Sequence, residues 1–199
     1  TKESLDIVKK FLASTRAEEI QQGLALVKKE ISKTTSTEAG SLLEMVSTLF
    51  YIDPLDQPDL VPLVDEAISI VAQFGTSNIP SLVQKLDAGD LKAQMAFAHA
   101  LGRIGADAIK PLMMEYGASI DPARRSFILY ALGKIKSAEI VEALPLALEA
   151  AESPSLELRD TATRALGKFA ESIPPSRLSE KVRHMCIEKL QKNLADPNP

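Results

Sequence analysis

The sequence predicts an all-α chain folded as an α-α superhelix, a solenoid of stacked helical hairpins, on three observations. The first is a phrase repeated in register: Ala100-Leu-Gly-Arg-Ile-Gly105, Ala131-Leu-Gly-Lys-Ile-Lys136 and Ala165-Leu-Gly-Lys-Phe-Ala170, with a fainter copy in Ile70-Val-Ala-Gln-Phe-Gly75. Starts at 70, 100, 131 and 165 give intervals of 30, 31 and 34 residues, and self-similarity at a period of roughly 20–50 residues marks a stacked repeat. The second is apolar spacing of helical type, as in Leu91, Met95, Ala98, Leu101 and Ile104, or Ile128, Leu132 and Ile135, with no stretch of strand alternation. The third is punctuation. Asp53-Pro54, Pro58, Gly75, Gly89-Asp90, Gly105, Gly117, Asp121-Pro122, Ser153-Pro154 and Pro174-Pro175 cut the chain into helix-length pieces.

Taken in order, these signals predict helices over 2–13, 17–31, 37–51, 59–74, 78–87, 90–104, 107–116, 122–135, 138–151, 155–170 and 175–195, within a single solenoid domain spanning 1–199. Residues 1–65 lack the phrase but carry apolar faces, with Leu24, Leu26, Val27 and Ile31 on one helix and Leu42, Leu43, Val46, Leu49 and Phe50 on the next. Terminal repeats have one side in water and diverge for that reason, so this stretch reads as degenerate or capping helical pairs, with a separate helical domain as the alternative. The polar segment 33–37 reads as a loop, with Thr37 or a neighbouring Ser or Thr capping the next helix. Residues 66–170 form clear two-helix units. The first helix carries the phrase; the second is apolar at Ile79, Leu82, Val83 and Leu86, then Ile109, Leu112, Met113 and Tyr116, then Val141, Leu144 and Leu148. Residues 171–199 read as a lengthened capping unit and an extended tail, Asp196-Pro-Asn-Pro199. Gly102, Gly133 and Gly167 fall inside first helices, where glycine costs about 1 kcal/mol relative to alanine. A cost that recurs at one repeat position points to close approach of a neighbouring helix.

The stretch 86–105, with its echoes at 125–135 and 158–169, resembles the HEAT-like repeat of the short bacterial and archaeal kind found in phycobilisome lyases. The resemblance implies an α-solenoid whose second helices line the concave side. It also implies an interaction scaffold more often than an enzyme or a nucleic-acid binder.

Composition narrows the function classes. The 199 residues are 45% apolar, carry a net charge of −4 and have a pI near 5.3, so nothing draws the chain to a phosphate backbone. No run of about 18 apolar residues could cross a membrane, and the charged start lacks the apolar segment of a signal peptide. Position 1 is not Met, which leaves room for a trimmed terminus or a longer multidomain protein. Cys186 is the one cysteine, which excludes an internal disulfide and fits a reduced, cytoplasmic setting.

Side chains with chemical potential are few. His99 aligns with Tyr130 and Arg164 across the repeats, a set tolerant of bulk and charge that places it on the outer face of the first helix. No second ligand stands at metal spacing from it. His184 and Cys186, two residues apart, point to different sides of a helix and make neither a dyad nor a metal pair. Deoxyhypusine hydroxylase, a related repeat enzyme, binds iron through His-Glu pairs; here Ala100 and Met185 follow the histidines, which argues against that activity. No phosphate loop, GxSxG elbow or CxxC is present. Gln94, Arg125 and Arg159 share one repeat position, which in HEAT-like repeats implies a ladder with acidic neighbours such as Asp90, Asp121 and Glu157. Glu139, Glu142, Glu149, Glu152 and Glu157 read as a solvated acidic face, and Arg177, Lys181, Arg183, Lys189 and Lys192 as a basic cluster that closes the solenoid.

The expected function is therefore a non-catalytic protein–protein interaction scaffold without cofactor or metal. It would act as a monomer or weak self-associating species that binds a protein partner, not nucleic acid or membrane, on the concave face. The candidate partner-binding residues are Pro80, Gln84, Lys110, Met114, Glu142 and Leu146, which the repeat register places in two rows displaced from the buried positions of the second helices. The alternatives are a cofactor-handling protein resembling bilin lyases, for which three Tyr and no Trp offer little lining, or one interaction segment of a larger protein.

Overall fold

The structure, a computed structural model, describes residues 2–87 and 89–195. The tail at 196–199 and the side chain of Lys181 in the closing basic cluster lie outside the described residues. Among those described there are eleven α-helices and no strand. They are α1 (Lys2–Leu12), α2 (Ala17–Ile31), α3 (Ser36–Ser47), α4 (Val61–Phe74), α5 (Ile79–Gln84), α6 (Leu91–Ile104), α7 (Ile109–Ala118), α8 (Pro122–Gly133), α9 (Leu144–Ala150), α10 (Leu156–Ser172) and α11 (Glu180–Leu194).

Each helix expected from periodicity forms, and the departures lie at the ends. The second helices are shortest because each opens with a 3-10 turn and then a proline: Thr76–Asn78 before Pro80, Ala106–Ala108 before Pro111, and Ala138–Ala143 before Pro145. Proline has no N–H to continue a helix begun earlier but suits a first turn, so the helix expected over 138–151 is α-helical only from Leu144. The first helices α6, α8 and α10 start on side-chain caps, whereas α4 has none. Asp90 accepts from the Ala93 N–H (3.1 Å), Asp121 from that of Ala123 (3.2 Å) and Ser155 from that of Leu158 (3.3 Å). For α3, Thr35 rather than Thr37 holds the N-cap position and makes no side-chain cap bond.

The helices stack in two rows. Along the first row α4 lies on α6, α6 on α8 and α8 on α10; behind it α5 packs on α7, and α9 packs on α10 and α11. The phrase is the seam of the first row: Ala100, Leu101, Ala131, Leu132, Ala165 and Leu166 are all buried. Its glycines differ. A Cβ on Gly102 would stand 2.7 Å from the Lys134 carbonyl oxygen, so only glycine lets α8 approach this closely. At Gly133 the nearest atom, Ala165 Cα, is at an ordinary 3.8 Å, and at Gly167 nothing lies within 4 Å. The packing reason expected for all three glycines therefore holds at Gly102, weakens at Gly133 and is missing at Gly167, beyond which no further first helix stacks among the described residues.

One connected cluster of buried apolar side chains runs from Val8 to Ile173. Phe50 meets Phe97 edge-on at 4.9 Å, and Lys28–Glu66 (2.7 Å) and Lys85–Glu44 (3.2 Å) bridge neighbouring units, so the phrase-free residues 2–65 pack continuously onto the repeats.

Two expectations about charge are corrected. Gln94, Arg125 and Arg159 each donate to backbone carbonyls at the end of the preceding second helix, and neither Gln94 nor Arg125 pairs with a carboxylate among the described residues, so the expected ladder is not continuous. Gln94 Nε2 reaches Leu86 O (2.8 Å), Arg125 Nε reaches Ser119 O (2.6 Å) and Arg159 Nη1 reaches Ser153 O (3.0 Å). Helix C-termini leave such carbonyls without intrahelical donors, and a side chain one turn into the next helix is well placed to serve them. The acidic pairing falls to Arg124, which bridges Asp87 and Glu115. Nor is the acidic face wholly solvated. Arg177 pairs with Glu139 (3.0 Å), and Lys189 and Lys192 both hold Glu152, so the basic closing segment neutralises part of the acidic unit before it.

Candidate functional site

The side chains that flank the phrase point away from the seam and form the walls of a groove over the first row. Between α6, α8 and α10 lies a cavity of about 360 Å³, with Leu91, Met95, Phe127 and Tyr130 on its apolar side and Lys134, Thr161, Arg164 and Lys168 around it. A second depression of about 520 Å³ adjoins it, lined by His99, Arg103, Lys134, Lys136, Lys168 and Glu171. Gly133, Lys134 and Lys168 border both, so the two form one continuous groove.

The row that the repeat register aligns, His99, Tyr130 and Arg164, is part of this lining. His99 is half-buried in the groove wall: Tyr130 stands edge-on to it at 6.2 Å, with its hydroxyl 3.4 Å from Nε2. Burial holds the His99 pKa below its ordinary value, helped by the positive charges of Lys134 and Arg103 against the opposing Asp65. Lys134 Nζ lies 4.9 Å over the Tyr130 ring, a cation–π contact, and burial raises the Tyr130 hydroxyl above the usual range. Arg103 is anchored to α4 through Asp65 (2.6 Å) and Ser69 (2.8 Å).

The six residues singled out in the sequence lie elsewhere. Pro80 and Gln84 are exposed on α5, Lys110 and Met114 on α7, and Glu142 on the 3-10 turn before α9. Met114 is 75% exposed, but Leu146 is half-buried against the core and is not part of an exposed strip. None of the six borders the groove. The register could have found the groove residues, since Lys134 and Lys168 belong to the phrase and Phe127 and Thr161 precede it by a turn. It could not reveal which side of a first helix is left open.

Among the described residues no three His, Cys, Asp or Glu side chains converge to hold a metal ion. His184 is exposed, while Cys186 packs partly against the core with its thiol pKa raised by burial. No helix described is long and apolar enough to cross a membrane.

Two rows of antiparallel helices, stacked unit on unit around one continuous core, define the chain as an α-helical repeat solenoid. No protein-family model matches it, and no curated protein does. Among solved structures it is similar to a designed armadillo repeat protein, at 17% identity and a TM-score of 0.46, over 96% of this chain and 92% of that one.

Proposed function

We propose that this chain is a non-catalytic protein-binding scaffold of HEAT-like type, and that its binding surface is the groove over α6, α8 and α10. The repeat intervals and the buried Ala-Leu-Gly phrase support the HEAT-like type. The observation that carries the choice of surface is the groove itself: side chains at one repeat register, from three successive helices, converge on an apolar floor beside the tight seam. Where two helix rows stack side by side, the more closely spaced row lies on the inside of the bend. The glycine-mediated approach of α6 and α8 supports assigning that place, and with it the binding surface, to the first row rather than to the second helices. Preformed helices hold such contacts at fixed spacing and lose little ordering entropy on association.

Photo-cross-linking in producing cells tests the choice of row. A cross-linking amino acid at Met95 or Arg164 is expected to trap a protein adduct that the same probe at Met114 does not. Adducts confined to Met114 would return the site to the second helices.

A further inference from the structure

The chain is acidic overall, with a net charge of −4, yet the groove is lined by Arg103, Lys134, Lys136, Arg164 and Lys168 against Glu157 and Glu171. Two of the cations are answered from beside it, Arg103 by Asp65 and Arg164 by Asp160 (3.2 Å). Lys168 reaches Glu171 only at 3.9 Å, both side chains being more than half exposed, and such pairs contribute little. Lys134 and Lys136 have no carboxylate at ion-pair distance among the described residues. Lys134 is the most constrained of these cations: its Cβ abuts Gly102, its ammonium is held over Tyr130, and it borders both halves of the groove. Beside these cations Leu91, 59% exposed, and Met95, 39% exposed, face Phe127 and Tyr130 across a space that one large apolar side chain would fill.

We propose, on the protein-binding reading above, that the groove receives an extended acidic peptide. Its carboxylates are met by Lys134 and Lys168, and one apolar side chain seats between Leu91, Met95, Phe127 and Tyr130. The charges are complementary on a chain that is acidic overall, so the field both steers the peptide and fixes its register. A nucleic acid is the poorer match: three weakly answered lysines cannot neutralise successive phosphates along an acidic chain, and Glu157 and Glu171 would face them.

His99 supplies a readout. It is faced by Lys134 and Tyr130 from α8, Arg103 from its own helix and Asp65 from α4, with Lys136 and Lys168 bordering the same depression. A carboxylate on Lys134 offsets part of the positive field that keeps the ring neutral. Bound peptide therefore raises the His99 titration midpoint, and affinity increases as pH falls through that range.

The experiment is an NMR titration of the whole chain with short synthetic peptides that carry one leucine or phenylalanine among glutamates, with matched peptides in which every glutamate is glutamine or lysine, and with a single-stranded oligonucleotide. The acidic peptide is expected to shift amides of α6, α8 and α10 and raise the His99 midpoint. Its affinity should fall about tenfold in a Lys134→Gln, Lys168→Gln double variant and about threefold in Lys168→Gln alone, with helicity unchanged. Equal shifts of the same amides by the glutamine peptide, with a stationary His99 midpoint, would overturn the acidic ligand and leave the groove standing. Shifts confined to α5, α7 and α9 would overturn the groove. Silence from the acidic peptide overturns the proposal, whether or not the oligonucleotide binds.

Discussion

Lys134 occupies three relationships at once: its backbone and Cβ close on Gly102, its ammonium covers Tyr130, and its charge depresses the proton affinity of His99. At this scale the sequence was informative about identity and uninformative about direction. Register grouped His99 with Tyr130 and Arg164, but a helix has two faces that tolerate bulk, and only packing decides which is covered. Likewise Gln94, Arg125 and Arg159 are equivalent by register, whereas the contact they share is with backbone carbonyls, which every sequence contains and no sequence marks. The His99 environment makes a direct prediction: its titration midpoint lies below 6.5 and moves up in Lys134→Gln, which a ring-proton NMR titration reads. Because the folded-state value is depressed, the unfolded chain binds the proton more tightly. His99 therefore favours the folded state above its unfolded pKa and progressively less as pH falls through the folded one.

Among the elements, the helices were the most legible part of the chain, because a 3.6-residue period and Pro/Gly punctuation act locally. What could not be read was where an element tightens. The turn at Ala138–Ala143 carries the apolar pattern of the helix it precedes, and Pro145, two residues past its end, is the only warning. The phrase glycines make the same point with opposite signs. Gly102→Ala drives a methyl into the Lys134 backbone, and overpacking of about 1–3 kcal/mol outweighs the gain of about 1 kcal/mol in helix propensity. Gly167→Ala meets nothing and keeps that gain. Thermal unfolding should therefore fall for Gly102→Ala and rise for Gly167→Ala, each by about 2–4 °C per kcal/mol in a chain of this length. A rise for both would mean that the close approach of α8 is not fixed by that glycine.

For the whole molecule, the stack is continuous in its core, but its last unit is tied on differently. The helix α11 has exposed Met185, Ile187 and Leu194 and is held to the preceding unit partly by Glu152 with Lys189 and Lys192 and by Arg177 with Glu139. These two lysines keep the Glu152 carboxyl below its ordinary value, so its share in docking is present above the glutamate range and lost as pH falls through the lowered one. The protection of α11 against hydrogen exchange, relative to the intrinsic rate at each pH, is expected to fall on acidification before that of α6 or α8 does, and Glu152→Gln should lower it already at neutral pH. Uniform exchange across all three helices would remove the distinction. The sequence offered both charge clusters without joining them, since they lie about 40 residues apart and only the turn of the chain after α10 brings them together.

The seat of Lys134 on Gly102 also has a mechanical side. A joint where a backbone carbonyl already stands at the distance a methyl could not tolerate resists further compression yet can open. The joint thus behaves as a one-way stop: α6 and α8 can move apart there but cannot come closer. Since the residue that forms the stop also carries the ammonium in the groove, whatever pulls on that ammonium pulls on the spacing of these two helices.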